Sequence, residues 1–397
     1  MKSLQSKYNI LHILYWISYL SIYGYIAIFL QYKGLSNTEI GIVSGAGALL
    51  SIFISPFISS LVTRIQGLNI KKTMLILYIL MFIAFLLLTY IPLPISLIMI
   101  LYIFLLCVMV SNVPFLSMIC MDYLKEGRYL NFGVARGLGS IAYASGAVIV
   151  SQFITWINPT VIIYVYLISS CLLFWILLSM PDSQTNNDNQ EENKTSAFTI
   201  MKEYKVFFFV LIGIAFMFSA STALSTYLIN IVTHLGGSTS LYGIAIFFMA
   251  ASEMPVMAKT YSLMKKFSAE TLLLAAAFFY IIRNFTICLA PNIPILMIGM
   301  MFQGISFGLF TATIAYYVND HLKSEHQMMG QTMIGMMSTG LGSTLGNVLG
   351  GFLQDNYSIQ AMFIFACAMT LIGFLIIFFT LRKKVSKVSL KKHKSYL

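Results

Sequence analysis

The stretch Gly34-Leu35-Ser36-Asn37-Thr38-Glu39-Ile40-Gly41-Ile42 returns in the second half of the chain as Gly236-Gly237-Ser238-Thr239-Ser240-Leu241-Tyr242-Gly243-Ile244. Outward from it, Pro56, followed by Arg64, Lys71 and Lys72, returns as Pro255, followed by Lys265 and Lys266. Gly137-Leu138-Gly139-Ser140 returns as Gly340-Leu341-Gly342-Ser343. A single match of glycines and serines would be chance, whereas three in one order and nearly one offset point to a duplicated unit. Two similar membrane halves are the pattern of a secondary transporter, with its site between the halves.

Composition leads the same way. Apolar residues make up 59% of the chain and charged residues 9%, against about 45–50% and about 25% in soluble domains. Apolar runs of about 20 residues, each able to cross an about 30 Å hydrocarbon core, fall at 10–30, 40–62, 73–91, 95–119, 132–153, 161–180, 206–230, 241–261, 271–289, 295–318, 331–353 and 360–380. The expected fold is an all-α membrane protein with twelve transmembrane helices in two six-helix halves. The first run is too long for a signal-peptide core and lacks a small-residue cleavage site, so it reads as a retained helix.

The net charge of +11 does not indicate nucleic acid, because the charges sit between the apolar runs. Lys2, Lys7, Arg64, Lys71, Lys72, Lys125, Arg128, Lys194, Lys202, Lys205, Lys265, Lys266, Lys323 and the tail from Arg382 to Lys394 fall on one side, against Lys33 in the opposite loops. The positive side is cytoplasmic, which places the chain in the cell membrane with both termini inside. The basic tail also suits anionic lipid headgroups. Cys107, Cys120, Cys171, Cys288 and Cys367 lie in or at apolar runs, which argues against a disulfide framework or a zinc site. No cofactor is implied, and the chain is expected to act as a monomer.

Residues 181–203, with the polar run Asp182-Ser183-Gln184-Thr185-Asn186-Asn187, read as a flexible cytoplasmic linker. It separates an N-terminal half, 1–180, from a C-terminal half, 204–380, and 381–397 form the basic tail. Ser36 and Glu39 have capping-box spacing, so Glu39 reads as a helix cap rather than a ligand. Glycines at 133, 137, 139 and 146, and at 340, 342, 346, 350 and 351, allow close helix packing. Any motion of those helices then follows from the packing.

A charge at membrane depth costs about 2.5–3.5 kcal/mol on insertion scales, so such residues face the protein interior or a hydrated cavity. Glu253 lies deep in the eighth run and Arg283 in the ninth. At about 1.5 Å per residue their depths differ by roughly 6 Å, within reach of an arginine. The pair suits proton coupling or substrate binding; the alternative is an ion pair that only joins two helices. Arg136 enters the fifth run, with Tyr143 two turns further along the same face. A guanidinium beside an aromatic ring suits a polar, ring-shaped solute, although a snorkelling Arg and a core Tyr have the same spacing. His12, Tyr15, Tyr19 and Tyr23, with Trp16 beside them, form a stripe on the first run. Such a stripe favours a cavity face, with interfacial anchoring as the alternative for His12, Tyr15 and Trp16. Weaker polar stripes are Thr222, Thr226 and Asn230, then Gln303 and Ser306. His234, His321, His326 and His393 receive no role.

With these residues in view, the chain resembles the major facilitator superfamily, and within it the group of lactose permease, nucleoside–proton symporters and phenylpropionate transporters. The resemblance spans essentially the whole sequence. It rests on Phe132-Gly133-Val134-Ala135-Arg136-Gly137-Leu138-Gly139-Ser140, Ser252-Glu253-Met254-Pro255, Arg283, Phe307-Gly308-Leu309-Phe310 and Gly330-Gln331. It implies roles in sugar binding and proton coupling for Arg136, Glu253 and Arg283, and a stacking role for Tyr143. The sequence departs from the group at Ser117, where an acid often follows Pro114, and at Val134, Gln303 and Thr63. Asp122 lies too far round the helix to replace that acid. These departures point away from a galactoside.

The expected function is secondary active transport of a small polar organic solute, a sugar, glycoside or nucleoside, by alternating access with proton symport. Arg136, Tyr143, Tyr19, Tyr23 and Gln303 are the expected substrate contacts, and Glu253 and Arg283 the expected proton-coupling pair. The alternative is a drug or metabolite exporter of the same fold, against which stands the lack of a Gly-Pro signature in the fifth run. No paired carboxylates, P-loop or nucleophile motif indicates an enzyme.

Overall fold

The computed structural model describes residues 2–65, 68–182 and 196–394, and every regular element among them is helical. Of the expected linker, 183–195 lie outside the described residues, as do 395–397 of the tail. The helices run α1 (Lys2–Tyr19), α2 (Ile26–Tyr32), α3 (Asn37–Arg64), α4 (Ile70–Tyr90), α5 (Ile95–Ser111), α6 (Val113–Lys125), α7 (Phe132–Trp156) and α8 (Val161–Ser179). They continue with α9 (Ala197–Glu203), α10 (Lys205–Thr226), α11 (Leu228–His234), α12 (Thr239–Met264), α13 (Ala269–Cys288), α14 (Ile293–Met301), α15 (Leu309–His321), α16 (Ser324–Gly335), α17 (Ser343–Asn356) and α18 (Ile359–Lys394). Three π turns interrupt this series, at Leu20–Gly24, Gly304–Gly308 and Met336–Gly342.

Ten helical stretches among the described residues are long and apolar enough to cross a membrane, with Ile95–Lys125 and Ile293–His321 each counted whole. The pair Leu4–Gly24 and Ile26–Tyr32, bent by 55°, makes an eleventh. The segment expected as the eleventh of twelve spans, 331–353, is helical throughout but does not join that set. Its glycines and hydroxyls dilute its apolar content, and its packing explains why they are there.

The sequence repeat has a physical basis. Gly34 and Gly236 both adopt left-handed backbone, with φ of 88° and 76°, just ahead of α3 and α12. Glycine reaches that conformation without steric cost. Ser36 and Glu39 close the capping box: Ser36 N–H donates to Glu39 Oε2 at 2.8 Å, and Glu39 N–H to Ser36 Oγ at 3.3 Å. Pro56 and Pro255 both lie inside their helices.

The chain divides into two compact units, Met1–Gln190 with Ser238–Phe247, and Glu191–Gly237 with Phe248–Leu397. In the first, α3 packs on α5, and α1 on α7 and α8. The opening of α12 belongs here: the Tyr242 hydroxyl donates to the Gly24 carbonyl, and Ser240 and Thr155 hydroxyls meet at 2.9 Å. In the second, α10 packs on α17 and α18, and α13 on α18. A Cβ added at Gly346 would lie 2.1 Å from the Ser219 carbonyl oxygen, so α17 rides on the backbone of α10. Polar pairs reinforce that seam: Thr222 with Ser343 at 3.2 Å, Thr226 to Asn347 at 2.7 Å, and Asn230 to Gln354 at 2.8 Å. The Thr222–Thr226–Asn230 stripe therefore joins α10 and α11 to α17.

Candidate functional site

In the first unit, α1 and α7 bring Arg136, Tyr143, Tyr19 and Tyr23 to one wall. Arg136 lies with its guanidinium carbon 3.9 Å from the centroid of the Trp16 ring. Its Nη1 donates to Ser140 Oγ at 2.5 Å, one turn along α7. Tyr19 and Tyr23 stack at 4.6 Å and 8°. Tyr143 stands edge-on to Trp16, with centroids 6.5 Å apart, and 6.4 Å from Tyr19. Arg136, Trp16, Tyr19, Tyr23 and Tyr143 are all half-buried. The π turn Leu20–Gly24 directly follows Tyr19 and carries Tyr23. Such turns recur at functional sites.

The structure alters the stripe read from the first run. Tyr15 leaves it: its ring is in the core and its hydroxyl donates to the Met109 carbonyl at 2.8 Å. Trp16 enters it, and Gly139 makes the room, since a Cβ there would sit 2.3 Å from Trp16 Cδ1. His12 is 0% exposed, edge-on to Tyr8 at 4.8 Å and to Phe132 at 5.6 Å. It is therefore not an interfacial anchor. The signal was present in the spacing: 12, 16, 19 and 23 follow one helical face more closely than a set containing 15.

In the second unit Arg283 is 0% exposed. Its Nη1 donates to Asn284 Oδ1 at 2.8 Å and to Ser221 Oγ at 3.2 Å, and its Nη2 to Ser225 Oγ at 3.4 Å. Asn284 passes the network to α18 through Thr370 at 2.7 Å. Glu253 accepts from Gln303 Nε2 at 3.1 Å. The direct partners found for the two side chains differ. Hydroxyls of α10 and the adjacent amide take the guanidinium, while Gln303, expected to contact substrate, donates to the carboxyl group. The two charges still lie close enough to act on one another. Helix spacing predicted their depth but could not predict that α10 would place Ser221 and Ser225 beside Arg283. The amide is brought in by the π turn Gly304–Gly308. A Cβ at Gly304 would lie 2.0 Å from the Ser252 carbonyl oxygen, and Gly304 N–H donates to Ser252 Oγ at 3.0 Å.

Two of the four histidines left without a role, His321 and His326, form contacts around the α15–α16 junction. His321 Nε2 meets Glu270 Oε1 at 3.0 Å, and its ring stacks on Tyr317 at 4.1 Å. His326 Nδ1 lies 3.1 Å from the Tyr204 hydroxyl. Lys323 Nζ donates to Glu203 at 2.8 Å, holding that carboxyl below its usual range and raising the lysine. No group of three His, Cys, Asp or Glu side chains among the described residues is placed to hold a metal ion.

Comparison with known proteins agrees with this architecture. The structure of a point mutant of the nucleoside transporter NupG superposes with a TM-score of 0.82 at 15% identity, covering 95% of this chain and 99% of that one. A D-xylose-proton symporter gives 0.66 at 15% identity, covering 94% and 96%. In sequence, the chain is 24% identical over 254 residues to the maltose permease of Geobacillus stearothermophilus, a stretch that spans 62% of each protein. It is 23% identical over 278 residues to the uncharacterized transporter YwbF of Bacillus subtilis (strain 168), covering 70% of this chain and 69% of that one. These relatives are named as permeases and transporters, not as enzymes. The apolar helices make the chain a multi-pass membrane protein. Since the model of the MFS_1 like family matches residues 6–365, the chain belongs to that family of major facilitator transporters.

Proposed function

We propose that the protein is a secondary active transporter of a small polar ring solute, a sugar, glycoside or nucleoside, working by alternating access with protons. The observation that carries this reading is the wall of the first unit. It has a parallel Tyr19–Tyr23 stack, Tyr143 nearby, and Arg136 held over Trp16. Aromatic faces cover the apolar face of a ring, and a planar guanidinium donates in a fork to its hydroxyl or carbonyl edge. Relatives named for maltose, D-xylose and nucleosides support the same solute class. Arg136, Tyr143, Tyr19, Tyr23 and Gln303 are the substrate contacts of this reading, and Glu253 with Arg283 the coupling groups. The Lys/Arg asymmetry of the loops supports a cell-membrane protein with cytoplasmic termini, and the single chain is the working unit.

The test is uptake by proteoliposomes of radiolabelled maltose, D-xylose and uridine under an imposed proton gradient. Accumulation that collapses with a protonophore is expected. No movement of any of these solutes overturns the solute class, and accumulation indifferent to the protonophore overturns the coupling.

A further inference from the structure

Gln303 makes one hydrogen bond where its amide could make more. Nε2 donates to Glu253 Oε1 at 3.1 Å, while Oε1 of the same amide is buried without a hydrogen-bond partner. The residue is 8% exposed, so water does not readily compensate. Buried acceptors are normally satisfied, and an exception calls for an explanation. Here the explanation lies in the neighbour. An ionised carboxylate only accepts, so it cannot serve Gln303 Oε1; a protonated carboxyl group has one O–H to donate.

We infer that Gln303 is the positioning residue that reads the protonation state of Glu253, closing a two-bond acid–amide pair when the proton is loaded. This rests on the reading of Glu253 as the proton carrier. On loading, a proton from water forms an O–H bond on Glu253 Oε2, and that O–H donates to Gln303 Oε1. The amide N–H keeps its bond to Glu253 Oε1. On release the O–H bond breaks, the proton returns to water, and one bond remains. Charged and titratable neighbours acting on Glu253 from the packed helices include Arg283 and Tyr280 of α13. Gly304 and Gly308, which face α12 from the π turn, do not titrate.

The geometry makes the pair a mechanical link. Gln303 immediately precedes the π turn, and that turn lies against α12 at Ser252 and Glu253. A second bond on loading ties α12 more firmly to the π turn; its loss on release loosens that contact. A histidine at the same place would carry a titrating charge of its own, whereas an amide responds only to the proton on Glu253.

Infrared difference spectroscopy of the full-length protein in lipid nanodiscs, titrated with acid and without any solute, tests this directly. The unaltered protein should show the carbonyl stretch of a protonated carboxyl group that vanishes in Glu253→Gln. In Gln303→Leu that band should move to higher frequency, because its carbonyl loses the amide N–H. In Gln303→Glu it should return toward the original position at acid pH, where a second carboxyl group can both donate and accept. If Gln303→Leu does not fold, ¹³C-labelled glutamine in the unaltered protein decides. A side-chain amide carbonyl band should shift with the same titration and stay still in Glu253→Gln. A band lost in Glu253→Gln but unmoved in Gln303→Leu, or a stationary amide band, overturns the role of Gln303 alone. If Glu253→Gln removes no titrating band, Glu253 carries no proton, and the coupling assignment falls with the pair.

Discussion

The two units treat an arginine at membrane depth in opposite ways. In the first, Arg136 is half-buried and lies over the Trp16 ring, which itself meets Tyr15, Tyr19 and Tyr143. In the second, Arg283 is fully enclosed by Ser221, Ser225 and Asn284. The first guanidinium keeps part of its surface open; the second lies among protein oxygens. On the proposed function, the difference separates recognition from charge management. Aromatic faces stabilise a cation without consuming its hydrogen-bond donors, whereas hydroxyls and an amide take up both terminal nitrogens of Arg283, leaving Nε buried without a partner.

The largest expected effect breaks the comparison on its buried side. Glu253→Gln fixes a neutral side chain next to Gln303 and should abolish uphill accumulation while leaving exchange across the membrane. Uptake and counterflow measured in the same proteoliposomes check this. Uphill accumulation equal to that of the unaltered protein would remove Glu253 from coupling.

Next comes the exposed cation. Arg136→Lys loses the planar fork and most of the stacking on Trp16, about 1–2 kcal/mol, and should raise the half-saturation concentration about ten-fold or more. Arg283→Lys should instead affect accumulation before apparent affinity. If the two lysine variants behave alike, the distinction between the units fails.

Packing gives a smaller and purely structural effect. Gly346→Ala places a methyl group where the Ser219 carbonyl stands and should destabilise the second unit by about 1–3 kcal/mol. Thermal unfolding in detergent reports it. Gly335→Ala, which meets nothing within 4 Å, is the control.

The smallest effect sharpens the boundary of the comparison outside the membrane. Glu203 is exposed and held ionised by Lys323. Its folded-state carboxyl is depressed, so this contact contributes above the unfolded carboxylate range and is lost as pH falls through the lowered value. Lys323→Ala should leave transport at neutral pH nearly unchanged and remove this acid-side dependence of stability. Exposed pairs are screened by solvent and contribute little, so a pH series of unfolding temperatures is needed to see it.

The sequence by itself determined the class of the molecule. Uninterrupted apolar runs leave a chain no option but to bury its backbone polar groups in membrane helices. The repeat at Gly34 and Gly236 was legible because a left-handed turn restricts the residue type. Arg136, Glu253 and Arg283 were legible because charge at membrane depth is costly enough to be rare. Spacing also put Tyr19 and Tyr23 on one face. Only the tertiary structure decided which groups meet. Periodicity fixes a residue's direction from its own helix, not what the next helix presents there. Trp16 became the support of Arg136 because Gly139 leaves a notch in α7. Ser221 and Ser225 took Arg283 because α10 runs beside α13. Gln303 reached Glu253 because a π turn next to Gly304 brings the two backbones within contact. Each of these depends on helix approach at the scale of one methyl group, which residue type and spacing along a single helix do not encode.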